Sequence, residues 1–185
     1  HTQLLAGATQ AWIFALVIKS TNEFYERVPK DMQDNLRYRS KALMLAKQDK
    51  KNAEEFWMMC SRDLLFYVNM FCWSYDPRIG TGKLPFITYP FQDDALLDMN
   101  EASGNHDLVI RKRRDMGASW MLLTVFEWRW HFHPGQSFLL VSRNEDYVDK
   151  PGNPKSLFWK IDFIHEHLPG WLKPKTTRTK LRLTN

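Results

Sequence analysis

Cysteine is scarce in this sequence: Cys60 and Cys72 are the only two among 185 residues. Two thiols cannot build a disulfide framework, and their separation does not match the close pairs that ligate metals. A reducing compartment is therefore expected. Long apolar runs are also missing. The run from Trp12 to Ile18 falls far short of the roughly 20 residues that a spanning helix needs. The stretch before it is broken by Gly7, Thr9 and Gln10 and has no basic lead, which argues against a secretory leader. A buried helix is expected there. There are no internal repeats or low-complexity tracts. With 44% hydrophobic and 14% aromatic residues, disordered and collagen-like polymers are excluded, because such chains lack the apolar surface that offsets backbone ordering.

What the sequence does have is segregated charge. The net charge is +5. Residues 173–185 contribute Lys173, Lys175, Arg178, Lys180 and Arg182 with no acid, so the chain before them is neutral in sum. A second basic stretch occupies residues 37–51, and residues 86–107 hold five carboxylates without a Lys or Arg. Such segregation points to a phosphate-contacting face, with solvated surface as the plain alternative. The chain opens on His1 and closes on Leu181-Arg182-Leu183-Thr184-Asn185, which reads as mid-strand, so a fragment of a longer protein is expected.

Periodicity divides the chain at about residue 75. Residues 1–75 read as a helical N-terminal region, with helices expected over 3–25, 30–47 and 52–71. Asp76-Pro77 and Gly80-Thr81-Gly82 then break the pattern. In residues 76–185 the texture changes. Leu108-Val109-Ile110 reads as a strand, residues 119–132 as a helix apolar nearly all round, and residues 137–142 as a second buried strand. Strand, loop, helix and strand make a βαβ unit, whose strands should be parallel. A further helix follows Pro154, and residues 177–184 read as a third strand. The expected class is α/β: a partial parallel sheet with flanking helices, like a P-loop NTPase, preceded by the helical region.

The loop between the first strand and the helix carries the chemistry. The pattern G-x-x-x-x-G-K-[ST] closes backbone N–H groups around phosphates, with a lysine on the terminal phosphates and a hydroxyl on Mg²⁺. Here Gly117 and Ser119 match, whereas Lys112 stands at the first glycine and Ala118 at the lysine. A helix N-terminus still offers free N–H groups and positive dipole charge. Arg111, Lys112, Arg113 and Arg114 supply cations. In an extended strand Lys112 and Arg114 would share one side, and Arg114 is the better placed. Twenty-five residues before Gly117 lies Gln92, in Tyr89-Pro90-Phe91-Gln92. A glutamine amide can match the N6/N7 edge of adenine, and Tyr89 or Phe91 can pack on the ring.

With these pieces assembled, the chain resembles the ATPase region of the large terminase subunit of tailed bacteriophages, the motor that packages viral DNA. Many members carry a deviant phosphate loop [KR]-x-R-x-x-G-x-[ST]. Lys112-Arg113-Arg114-Asp115-Met116-Gly117-Ala118-Ser119, followed by Trp120, is similar to it, with Asp115 where many have Gln. Tyr89-Pro90-Phe91-Gln92 looks like the family's adenine motif. Val141-Ser142-Arg143, Tyr147-Val148-Asp149-Lys150 and Leu157-Phe158-Trp159-Lys160 look like one branch of these proteins.

The resemblance implies ATP between Gln92 and the Gly117 loop, Mg²⁺ near the Ser119 hydroxyl, and hydrolysis coupled to movement of double-stranded DNA into a prohead. It also implies a small terminase subunit and a portal as partners, a homo-oligomeric ring on that portal, and the host cell cytoplasm as location. DNA contacts would be to phosphates and steeply salt-dependent; Arg143, Lys173, Lys175, Arg178 and Lys180 are the candidates.

The family's Asp-Glu strand, which holds Mg²⁺ and activates water, has no counterpart among the 66 residues after Ser119. Glu145-Asp146 comes too soon and in a polar stretch. Asp162 and Glu166 fall on a helix, and the nuclease domain is missing. The catalytic residues are thus unassigned, and this chain is expected to bind nucleotide weakly without turning it over. Two other readings stand beside this one. One is a helicase-like P-loop ATPase, which normally keeps the lysine that Ala118 replaces. The other is a non-catalytic nucleic-acid-binding or assembly module on a degenerate P-loop scaffold.

Other constellations are weaker. His131-Phe132-His133 and His165-Glu166-His167 are spaced by two, which diverges on a helix, and suit helix C-termini; no metal is expected there. Trp120, Trp128 and Trp130 are expected in the core. Ser119 lacks the G-x-S-x-G surroundings of a nucleophile.

Overall fold

The computed structural model describes residues 20–184, so the helix expected from residue 3 falls largely outside the described residues. Residues 20–24 lead into a 3-10 turn, Tyr25–Arg27. Three helices follow, and three aspartates punctuate them. Asp31 caps α1 (Met32–Gln48), its carboxylate accepting from the Gln33 and Asp34 N–H groups. Asp49 ends α1 and caps α2 (Lys50–Arg62). Asp63 ends α2 and caps α3 (Leu64–Phe71). A short carboxylate that captures free N–H groups favours a new helix start over continuation. The periodicity of residues 52–71 therefore resolves into two helices. Asp63 also accepts the N–H groups of Phe24 and Tyr25, each at 2.9 Å, and so fixes the entering chain.

Every residue of α3 is buried, and this helix is the centre of the molecule. The core cluster joins its side chains to Met99, Val125, Trp128, Ile164 and Leu172 from the second half of the chain. Two polar contacts fix the register: Trp128 Nε1 donates to the Cys60 carbonyl at 2.7 Å, and the Tyr67 hydroxyl donates to Glu127 Oε2 at 2.6 Å. Arg39, from the basic stretch of α1, is buried and donates to the Asn69 and Cys72 carbonyls; it is a structural residue.

Strand β1 (Trp73–Tyr75) pairs antiparallel with β2 (Lys83–Pro85), Ser74 opposite Leu84. Helix α4 (Pro90–Ala102) and helix α5 (Ala118–Phe132) come next and pack on each other. A single turn, α6 (Glu145–Val148), precedes α7 (Leu157–His167), which lies against α5 and β1. The chain closes in an antiparallel hairpin of β3 (Thr177–Thr179) and β4 (Arg182–Thr184), turning through Leu181 at φ 60°.

The expected α/β class with a parallel sheet is therefore corrected. Among the described residues the fold is mostly helical, with two small antiparallel two-stranded sheets and no parallel pairing. Residues 108–110 and 137–142, read as buried strands, form no ladder. Val109, Leu139 and Val141 are 91%, 86% and 77% exposed. The pattern of these residues suits a strand, but a strand exists only against a hydrogen-bonded partner, and none of the described strands pairs with either segment. The third expected strand is a hairpin, because Leu181 reverses the chain within it. The apolar face of α5 is covered by α3, α4 and α7.

Candidate functional site

A cavity of about 1080 Å³ opens between the β1–β2 hairpin, the start of α4 and the start of α5. Its size slightly exceeds that of small-molecule sites, which run on the order of 300–1,000 Å³. Its walls bring together residues far apart in sequence: Lys30, Tyr89, Gln92, Lys112, Gly117, Ser119 and Lys160.

The α4 wall is built from the sequence upward. Pro90 occupies the first helical turn, and Gln92 folds back so that its Oε1 accepts the Tyr89 N–H at 3.1 Å. Its Nε2 donates to the Met116 carbonyl at 3.2 Å. The residue is 8% exposed. Both ends of the amide are engaged, so Gln92 ties the start of α4 to the loop before α5. Behind it, Asn69 Oδ1 accepts the Thr88 N–H, and Lys30 donates to the Thr88 carbonyl and hydroxyl, each at 2.9 Å. Asp93 receives the Thr88 and Tyr25 hydroxyls and pairs with Lys30 at 3.3 Å. Burial pulls the Lys30 ammonium below its ordinary value, while Asp93 acts against that.

The α5 wall begins at Gly117, whose φ of 78° is the left-handed conformation that glycine adopts without strain. A Cβ there would stand 3.1 Å from Gln92 Nε2. Asp115 is also left-handed, at φ 61°. Ser119, at the second helical position, is exposed and faces the cavity, and no side chain caps the helix start. The N–H groups of this first turn are thus available to an anion.

The structure brings Tyr89, Gln92, Lys112, Asp115, Gly117, Ala118, Ser119 and Trp120 into the lining of one cavity. Phe91 stacks on Tyr89, ring centroids 5.8 Å apart, but does not line the cavity. Met116 contributes its carbonyl to Gln92. Arg113 and Arg114 are exposed and outside the lining; a turn at residues 114–116 replaces the extended strand, and Lys112 is the cation of the run that reaches the cavity. Sequence reasoning missed Lys30 and Lys160. Lys160 did leave a signal, three residues after Leu157 and four before Ile164, on an otherwise apolar helix face.

The basic tail is largely engaged within the molecule. Arg178 pairs with Asp149 at 2.6 Å and Asp162 at 3.0 Å, Lys180 with Glu145, and Lys173 donates to the Glu166 carbonyl. Arg143 stacks over Tyr147. Lys175 is exposed. His131 and His165 converge on one buried carboxylate, Glu127, each at 3.1 Å. Trp128 is fully buried, while Trp120 and Trp130 are half-buried. Neither Glu145, Asp146, Asp162 nor Glu166 lines the cavity. For Mg²⁺, the oxygen donors in the lining are the Ser119 hydroxyl and the carboxylates of Asp115 and of Asp76, the last paired with Arg78; no group of three or more acidic, His or Cys side chains is clustered among the described residues. An ion bound this way would arrive with a phosphate ligand and keep much of its water.

No protein-family model, curated protein or solved structure matches this chain. Among the described residues no helix is long and apolar enough to cross a membrane.

Proposed function

We propose that the cavity receives a nucleoside triphosphate, and that the chain is the nucleotide-binding part of a viral DNA-packaging motor of the terminase large-subunit type. One observation carries the nucleotide reading: Tyr89 and Gln92 on one side and Lys112, Gly117 and Ser119 on the other meet across one cavity, joined by the Gln92–Met116 bond. The Tyr89 ring offers a stacking face for a base. The first-turn N–H groups of α5, with Lys112, offer charge to phosphates.

The chemistry supported is binding. Of the carboxylates that line the cavity, Asp76 is paired with Arg78 and Asp115 is exposed; with no Asp-Glu strand assigned, the 185-residue chain is expected to hold ATP with Mg²⁺ and leave it intact. Double-stranded DNA, contacted through its phosphates, belongs to the same proposal, as do the small terminase subunit, the portal and a ring of copies on it. Lys175 is an exposed residue of the tail that forms no ion pair among the described residues.

A non-catalytic nucleic-acid-binding module is the second reading. It is favoured by the exposure of Arg111, Arg113 and Arg114 outside the cavity. Duplex DNA binding measured with and without ATP and Mg²⁺ separates the two. Dependence on nucleotide supports the motor, and indifference supports the module.

A further inference from the structure

Lys160 lies on α7, far in sequence from the loop at Gly117, yet it lines the same cavity. It is 8% exposed. Its Nζ donates to the Pro154 carbonyl at 2.7 Å and the Ser156 carbonyl at 3.3 Å. An ammonium has three donors, and the third finds no acceptor among the described residues. The ammonium also stands 6.0 Å from the centre of the Trp120 ring, in the first turn of α5.

No carboxylate balances this charge. Asp149 and Asp162, on the α7 side, are taken by Arg178, and Asp146 by Lys150. Asp76, from the hairpin side, is taken by Arg78. The same lining holds Lys30, Lys112 and the exposed Asp115. A buried cation without a counter-ion is costly to the fold. An anionic ligand in the cavity would relieve that cost.

We infer that Lys160 is a buried anion receptor of the cavity, contacting the polyphosphate of the ligand beside the first turn of α5. The inference rests on the nucleotide reading for the identity of that ligand, but the charge argument requires only a polyphosphate. Burial draws the free ammonium down to about 8, so polyphosphate binding in mildly alkaline solution should be accompanied by proton uptake.

The test is calorimetric titration of the whole chain with ATP and, separately, with inorganic tripolyphosphate. It compares wild type, Lys160→Met and Lys160→Arg at pH about 8.5, in two buffers of different ionisation enthalpy. The expected result is binding of both ligands by wild type with proton uptake. Affinity should be weakened roughly tenfold or more in Lys160→Met. Lys160→Arg should retain affinity without the uptake, because guanidinium does not titrate there. Equal affinity of wild type and Lys160→Met for both ligands overturns the inference and leaves the nucleotide reading standing. Tripolyphosphate binding that needs Lys160, with no added affinity for ATP, supports the inference and overturns the nucleotide reading. If wild type binds neither ligand, both fall. If Lys160→Met fails to fold, proton uptake in wild type and its loss in Lys160→Arg decide the matter; binding without uptake in wild type overturns the inference.

Discussion

The side-chain amide of Gln92 donates to the backbone carbonyl of Met116 across 3.2 Å, while its oxygen accepts the N–H of Tyr89. One residue thus caps a helix and holds the loop that precedes the next. Gln92→Glu exchanges the donor for a second acceptor facing the Met116 carbonyl. It is expected to lower stability by about 1–3 kcal/mol at neutral pH, measured by denaturant unfolding. Part of the loss should return below the ordinary glutamate range, where the protonated acid can donate again.

Gly117 supplies both a left-handed φ and the space beside Gln92. Gly117→Ala is expected to cost about 1–2 kcal/mol for the conformation alone, plus the displacement of Gln92. Gly135, at φ 80° with nothing within 4 Å of an added Cβ, is the control. Gly135→Ala should show the conformational cost only, and the difference between the variants measures the contact.

Glu127 is buried under three donors: the Tyr67 hydroxyl and the rings of His131 and His165. A carboxylate only accepts, so each ring nitrogen facing it carries its proton. Burial alone would raise its pKa. The hydrogen bonds from His131 and His165, with their charge, prevail and hold it at about 2, against an ordinary 4.5. A depressed carboxylate pKa gives stability that is present above the unfolded value and lost as pH falls towards the folded one. The loss attributable to Glu127 should therefore appear between about 4.5 and 2. Glu127→Ala, which strands its partners, should cost about 3–5 kcal/mol, and Tyr67→Phe about 1–3 kcal/mol.

His133 behaves differently. Its Nε2 is buried without a hydrogen-bond partner, and its ring sits edge-on to Trp128, 4.7 Å away. Burial, helped by the charge of Arg129, pulls its pKa down to about 4 from 6.5. The unfolded chain takes up the proton first, so this group's contribution falls as pH drops from about 6.5 to 4. His133→Phe should be neutral or stabilising at pH 7 and should flatten the unfolding profile in that window. A profile unchanged by the substitution would contradict this assignment.

The helices were legible where their signals are local. Pro154 before α7 and the spacing of Leu157, Ile161, Ile164 and Leu168 act within a few residues, whereas the new start at Asp63 and the helix Pro90–Ala102 were not expected. The sheet was not, because Leu108-Val109-Ile110 has the composition of a strand but pairing depends on a partner that composition does not supply. Residue type and spacing singled out Gln92, Lys112, Gly117 and Ser119, which line one cavity, together with Phe91, Arg113 and Arg114, which do not. Which cation of the basic run reaches the cavity was not legible, since it depends on the turn at residues 114–116. The fate of the tail was hidden for the same reason: Arg178 reads as free charge until Asp149 and Asp162 are brought to it by the hairpin.

Tyr89, Gln92, Lys112, Gly117 and Ser119 are proposed to form one nucleotide site. Its most direct test is equilibrium titration of the whole chain with ATP and Mg²⁺, beside Lys112→Ala. The prediction is saturable binding without turnover, weakened roughly tenfold or more by Lys112→Ala. No saturable binding up to millimolar ATP, or equal affinity in the variant, would contradict it.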